Sequence, residues 1–364
     1  MTAAGPSAPT GRARPTPDHD RRAAGVLDAL PPGAEATATA AVRRGLAAAG
    51  ESPARHPLGS VEAVREELTM PVRLDPDWPP PSSPLPVGGG AVHADLIDDD
   101  HDALARLRTA LRDDERPVDA ERLAAEAQQW RLPVTPYRAP SPTWPGLDGW
   151  RTPRPPSAPA AVGARALPVV VDLSALWAGP LATSLLARLG ATVVKIDGPA
   201  RPDGLGERPA VYRHLNAGKR IEALDLRRTP DRRRFEELLA NADLVVDSFS
   251  RRVLPNLGYP HQELLTRFPR LRSLSIVAFP IGTPEADWVA YGPGVHACSG
   301  LGHRGHDRPP RPAAIAYPDA LAGFEAFAAA SAMLSGGGAE RRREISLAGA
   351  LAPLVARRLD EEAS

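Results

Sequence analysis

Few side chains in this sequence are placed to do chemistry, and each has a plain structural reading beside the chemical one. Cys298 is the chain's one cysteine and could act as a nucleophile, yet beside Ser299-Gly300-Leu301 it reads as a small core residue. His303 and His306 have the look of a metal pair, but they sit in a Gly/Arg/Pro-rich loop with no third ligand nearby in sequence. Asp197 follows an apolar run, at the place where an acid would meet the ribose of a dinucleotide. The turn before that run, Ser174 to Pro180, carries only Gly179 and lacks the glycines a pyrophosphate needs. Gly336-Gly337-Gly338 follows a helical pattern and precedes a strand, the reverse of a phosphate cradle, so it reads as a helix stop and turn. Asp319, after Tyr317-Pro318, reads by itself as a helix N-cap.

The elements that must position these residues are clear in the second half of the chain. Pro168–Leu173 is an apolar β-branched run, as a buried parallel strand should be. A helix is expected over Pro180–Leu189, with Leu181, Leu185 and Leu189 four apart and Gly190 ending it. Thr192–Ile196 is the next strand, and the pair implies a right-handed βαβ unit in a parallel sheet. Further strands are expected at Asp243–Asp247, Arg272–Ala278 and Glu344–Leu347. Helices are expected at Arg232–Leu239 and about Ala320–Leu334. The fold class is α/β, an open parallel Rossmann-like sheet with flanking helices, plus a smaller α+β N-terminal region.

That N-terminal region is weakly patterned. Residues 1–20 read as a disordered leader, 21–138 as a small region, 139–166 as a Pro-rich linker, and 167–358 as the α/β domain. Within the small region a strand is expected over Ala91–Ile97. A helix follows near His101–Arg112, with Leu104, Leu107 and Leu111 on one face, and another over Asp119–Gln129. Basic and acidic side chains balance at 44 each, which argues against a strongly electropositive nucleic-acid binder. A single cysteine cannot form an intramolecular disulfide. The leader has no apolar core of a secretory signal, and no apolar run reaches a membrane span, so a cytoplasmic location is expected.

A family resemblance then organises the residues. VVVDLSALWAGPLATSLLARLGATVVKID (169–197) resembles the opening strand-helix-strand of the class III CoA-transferases, the formyl-CoA and carnitine CoA-transferase type. The likeness continues through Asn216-Ala-Gly-Lys219-Arg220, Ala223-Leu-Asp-Leu226, Asn241 to Asp247, Val253 to Gly258, Ser299-Gly300-Leu301 and Tyr317-Pro318-Asp319 to Gly323. Matched in order along the chain, these stretches make a specific signal, where any one alone would be weak.

The resemblance implies a transferase that moves CoA between an acyl-CoA and a carboxylic acid through a covalent aspartyl intermediate, with Asp319 as the nucleophile. It implies coenzyme A contacts at Ala178, Gly179, Asn216, Lys219, Arg220 and Arg208, no metal, no nucleic acid or membrane partner, and a homodimer. The alternatives are an acyl-CoA racemase or isomerase of the same family and a catalytically silent binding or partner subunit. Tyr291 stands where the racemases have histidine. Gly292 stands where the family usually has an acid. The chain also stops soon after Arg343-Glu-Ile-Ser-Leu347, where the family's domain continues. Asp119–Pro136 resembles the family's closing segment, with Arg131 in place of its glycine, so a permuted or fused arrangement with the small domain placed first is expected.

Overall fold

The computed structural model describes residues 17–96, 99–112, 117–148, 167–199, 202–305, 307–335 and 340–364. Most of the expected leader and linker, His306 and the Gly336–Gly338 run lie outside the described residues.

Three helices come first: α1 (Pro17–Ala29), α2 (Ala34–Ala48) and α3 (Val61–Leu74). Ser60 starts α3 by accepting from the Ala63 N–H, and the apolar face runs on through Met70 and Val72. A small antiparallel sheet follows, with strands β1 (Leu85–Val87), β2 (Gly90–Ala94) and β3 (Val134–Pro136) in that order. Gly88 and Gly89 both take positive φ, as a two-residue hairpin loop between paired Val87 and Gly90 requires. Helices α4 (Asp99–Arg112) and α5 (Ala120–Gln129) cover this sheet, and Leu104, Leu107, Leu111 and Leu123 meet Val92 and Val134 in its core.

Arg131 explains its own departure from a glycine pattern. It follows α5 with φ 61°, the left-handed position of a helix stop. The Leu132 N–H closes back onto the Ala127 carbonyl and the Arg131 N–H onto that of Gln128. Glycine is the ordinary tenant there, and arginine holds it against a modest steric penalty.

The main sheet is built from β4 (Val169–Asp172), β5 (Thr192–Asp197), β6 (Arg220–Ala223), β7 (Leu244–Asp247), β8 (Arg272–Val277) and β9 (Arg342–Ser346). Their order is β6-β5-β4-β7-β8-β9, and every pair is parallel. β4 and β5, joined by α6 (Ala178–Arg188), pair in the middle of the sheet, as the apolar runs and the four-spaced leucines predict. The helix starts two residues before Pro180.

Helix α7 (Pro209–Asn216) leads to β6, and α8 (Thr229–Asn241) leads from β6 to β7. After β7 come the short α9 (Val253–Asn256) and α10 (His261–Arg267). Helix α11 (Gly292–Ser299) follows β8. Then α12 (Tyr317–Ser335) leads to β9, and α13 (Leu347–Ala350) and α14 (Ala352–Glu362) end the chain.

Alternation along the strands divides the interior into two cores, because successive side chains point to opposite faces. Val170, Val193, Leu244, Val246, Leu274 and Ile276 face one side; Val171, Val194, Ile196 and Val245 face the other, under Phe235 and Leu239 of α8. The first core also takes in α1 to α3, so the segment 21–138 contributes to two separate cores. Its centre is α12, buried nearly all round. The described start of the expected linker is packed down too: Trp144 is buried and donates to the Ala348 carbonyl at 2.8 Å.

Candidate active site

In an open parallel sheet, ligands bind outside the carboxyl ends of the strands, where the strand order reverses. Here that point lies between β4 and β7. The turn after β4, Leu173 to Trp177, is fixed by buried charges. The Asp172 carboxylate accepts from the Ser174 N–H (2.9 Å), the Ser174 hydroxyl, the Thr183 hydroxyl (2.6 Å) and Lys219 Nζ (3.0 Å). Burial pushes the Asp172 carboxyl up, but Lys219, Lys195 and the hydroxyl donors outweigh it and hold the pKa at about 2.

Lys195 donates to the Ser174 carbonyl at 2.6 Å and lies 3.3 Å from both Asp197 and Asp203. Asp203 accepts from the Leu176 N–H, and Leu176 is held at φ 64°. Gly179 has its side of the helix filled by Ser174, whose Cβ would lie 2.1 Å from any added methyl. The backbone of Ala178 and Gly179 is therefore set rigidly at the N-terminus of α6, where free N–H groups point outward.

α12 crosses α6 at backbone contact: a methyl on Gly323 would lie 2.7 Å from the Ala178 carbonyl. One turn before Gly323 stands Asp319, inside the first turn of the helix. Its own N–H bonds to the Ala316 carbonyl, so it is not the N-cap that its position after Pro318 predicts. The side chain is 9% exposed, and its Oδ2 makes no hydrogen bond. Burial pushes its pKa up to about 7, and the Gly292 N–H at the start of α11 pulls in the opposite direction. The start of α11 thus lies against the Asp319 carboxyl, and the start of α6 packs one turn further along α12, at Gly323.

Gly292, the position where the family pattern has an acid, is occupied in space by the Asp319 carboxyl. An added Cβ would lie 2.0 Å from Oδ2. Gly292→Ala is therefore expected to displace Asp319 and to cost about 1–3 kcal/mol through overpacking, read as a lower urea midpoint. An unchanged midpoint would mean the carboxyl has room to swing away.

The other candidates are placed as follows. Lys219 is fully enclosed, and its ammonium is surrounded by Asp172, the Pro180 carbonyl (3.0 Å), Thr183 (2.8 Å) and Asn216 Oδ1 (3.0 Å). An ammonium has three N–H groups, so none is left for a phosphate. Asn216 is buried as that ammonium's partner. Arg208 reaches Asp75 and the Asp77 carbonyl and lies over the Trp78 ring. Arg220 keeps an exposed guanidinium on the edge strand and pairs with Glu222. Arg251, which is not among the contacts the resemblance implies, pairs with Glu344 at 2.7 Å and is spent on holding β9. Asp197 takes the Tyr212 hydroxyl and a share of Lys195. Burial pushes the Cys298 thiol up to about 12, which makes it a poor nucleophile.

Sequence reasoning did not single out several buried polar groups. Trp177 is 5% exposed with its indole N–H unpaired. His296 holds the Tyr317 hydroxyl at 2.8 Å and the Arg311 carbonyl at 3.0 Å. From the small sheet come His93, Asp95 and Tyr137. For His93 and Asp95 the signal was their place in the expected strand Ala91–Ile97; Tyr137 follows the short apolar run that comes after α5.

Comparison with known proteins places the second half of the chain in a family. Residues 168–359 match the model of CoA-transferase family III. Acetyl-CoA:oxalate CoA-transferase of Acetobacter aceti is 32% identical over 140 residues, which are 36% of this chain and 36% of that protein. Succinate–glutarate CoA-transferase of Agrobacterium fabrum is 30% identical over 181 residues, 45% of each chain. A CAIB/BAIF family protein from Brucella suis has a solved structure with a TM-score of 0.49 and 26% identity, over 54% of this chain and 57% of that one. The chain spans less than half the length of the two curated relatives. The family match begins at the residue before β4 and ends inside α14, so it takes in the whole parallel sheet and Asp319. By that match the chain belongs to CoA-transferase family III.

Proposed function

We propose that the protein transfers CoA between an acyl-CoA and a carboxylic acid, with Asp319 as the covalent carboxylate. The observation that carries this reading is the Asp319 carboxyl itself: buried, with an unpaired oxygen, in the first turn of α12 against the start of α11, in a chain of this family. A carboxylate oxygen attacks the thioester carbonyl, the C–S bond breaks, and the CoA thiolate leaves with the electron pair. The thiolate then attacks the aspartyl carbonyl of the mixed anhydride and releases the first acid, leaving an enzyme–CoA thioester. An acceptor carboxylate reverses both steps. Each exchange is easier than direct acyl transfer between carboxylate and thioester. The N–H groups at the starts of α6 and α11 are the donors available to a developing oxyanion.

The cradle for CoA is the β4–α6 turn with Ala178 and Gly179, and Arg220 is the exposed cation proposed for a phosphate. Lys219 and Asn216 support that turn from beneath, and Arg208 ties it to the Asp75–Trp78 segment. The rest of the reading follows the family: a Rossmann-like sheet, a homodimer, and a cytoplasmic location. Among the described residues no helix is long and apolar enough to cross a membrane.

The test is mass spectrometry of the full chain after incubation with several short acyl-CoAs. A covalent CoA adduct on the peptide containing Asp319 is expected. Binding of CoA alone, followed by calorimetry, should weaken as salt rises from 0.02 to 0.3 M (about these values), since an exposed phosphate–arginine contact is screened. A second reading rests on the enclosure of Asp319: a family member that keeps the fold without the reaction. CoA binding with no adduct from any acyl-CoA would establish that second reading.

A further inference from the structure

The family match starts at residue 168, yet the strap that leads into α11, residues 285–289, is held by residues far before it. Every residue of the strap is gripped. Arg138 pairs with Glu285 at 2.7 Å and lies over the Trp288 ring at 5.7 Å. Arg131 donates to the Asp287 carbonyl at 2.8 Å, and Arg251 donates to that of Ala286. Gln128 takes Val289 in both directions, donating to its carbonyl at 2.9 Å and accepting from its N–H at 2.7 Å. Gln128, Arg131 and Arg138 come from the end of α5 and the chain around β3.

Of these side chains Gln128 is the buried one. Its amide nitrogen also donates to the Val134 carbonyl at 3.0 Å, so the oxygen and both N–H groups are in use. An amide that meets the N–H and the C=O of one residue does what a paired strand does for that residue. A single side chain thus fixes Val289 to the small sheet.

The turn that follows Val289 has little stiffness of its own. α11 opens on Gly292-Pro293-Gly294, and Tyr291 lends it no side-chain cap. Both glycines are required by their neighbours. An added Cβ on Gly292 would lie 2.0 Å from Asp319 Oδ2, and one on Gly294 would lie 3.0 Å from Thr135 Oγ1 of β3. Packing against Asp319 on one side and β3 on the other therefore excludes side chains from this turn, and backbone stiffness is lost with them. Pro293 restrains only its own φ. The turn is placed by an anchor on either side of it. One helical turn on, His296 Nδ1 meets the Tyr317 hydroxyl at 2.8 Å. Three residues before Gly292 stands Val289, in the grip of Gln128.

We propose that Gln128 is a positioning residue for the reaction: by holding both peptide groups of Val289, it sets where the first turn of α11 stands against the Asp319 carboxyl. This depends on the covalent role proposed for Asp319. Gln128 touches no reacting atom and acts through Val289 and Gly292. With its bridge gone the strap keeps Arg131, Arg138 and Arg251, which are more exposed, and the first turn of α11 is free to drift. A drift of about 1 Å beside a reacting group is enough to cost about 100-fold in rate. Gln128 lies outside the family match, so the small sheet is a working part of the site.

The test uses the full chain. Gln128→Met keeps the length of the side chain and loses every hydrogen bond. Gln128→Glu keeps the acceptor for the Val289 N–H and loses the donors, and it carries the comparison where Gln128→Met fails to fold. Leu107→Ala destabilises the small sheet through α4, which makes none of the hydrogen bonds named above, and is the structural control. Single-turnover adduct formation at saturating acyl-CoA should fall about 10- to 100-fold in Gln128→Met and less in Gln128→Glu. The calorimetric Kd for CoA should stay within about twofold, since the bridge serves the reacting step and not the binding. Leu107→Ala should keep the wild-type rate. Hydrogen exchange of the peptide that carries Gly292 should quicken in both Gln128 variants and not in Leu107→Ala. A Gln128→Met rate within about twofold of wild type, or a loss no greater than that in Leu107→Ala, overturns the positioning role. No adduct in the wild type removes the transferase reading, and exchange then decides alone. Faster exchange at Gly292 keeps Gln128 as the residue that sets α11, and unchanged exchange removes that as well.

Discussion

Asp319→Asn should abolish the covalent CoA adduct while making the protein more stable above neutral pH. The first effect is the loss of the nucleophile, since an amide cannot form the anhydride. The second follows from burial. The folded-state pKa of Asp319 is pushed up to about 7, while an unfolded aspartate titrates near its ordinary 3.8. Below that ordinary value both states hold the proton and nothing is gained or lost. Between 3.8 and about 7 the unfolded chain ionises and the folded one does not, so stability falls as pH rises. Above about 7 the whole cost is present, of the order of a few kcal/mol. Asparagine carries no such cost. Thermal midpoints of the two proteins should therefore coincide near pH 3.5 (about) and separate by several degrees at about pH 8. Full activity in Asp319→Asn would move the chemistry to another acid. A midpoint gap that does not grow with pH would mean the carboxyl is solvated.

Lys219→Ala should lower folding stability by about 3–5 kcal/mol, because it strips the main cation from a fully buried carboxylate. Lys219 and Asp172 are both completely enclosed, and the pair ties β4, α6 and the approach to β6 into one unit. Lys195 remains beside Asp172 and recovers part of the loss. Against a typical total stability of about 5–15 kcal/mol this is a large fraction. The control is Arg220→Ala, whose exposed side chain should change stability by less than about 0.5 kcal/mol and weaken CoA binding instead. Equilibrium urea unfolding and CoA calorimetry on both variants separate the roles. A stable Lys219→Ala protein with lost CoA affinity would mean that the lysine reaches a phosphate after all.

The parallel sheet was legible because its strands are buried on both faces. VVVD, TVVKID and LVVD read as continuous apolar runs, and four-spaced leucines read as the helix between them. Helices α7 and α11 were harder to see, since they are short and open on Pro or Gly residues that look like loop. Lys219 shows where a local reading fails. Beside Gly218 and Arg220 it has the look of a surface turn, and only the fold reveals that Asp172, 47 residues earlier, needs its charge. Arg131 shows the converse, a departure from glycine that the backbone makes intelligible.

The seat of α12 sets the order in which the molecule can be completed. α2 packs on α12, and the Arg44–Glu325 pair between them spans 281 residues of sequence. During synthesis α2 emerges with its apolar face exposed, and its partner arrives only after nearly all of the parallel sheet has been made. Closing so long a loop costs entropy before any contact repays it, and topologies dominated by such contacts fold slowly. The first helices must therefore wait, at risk of association with one another or with other chains, until the last long helix is available to cover them.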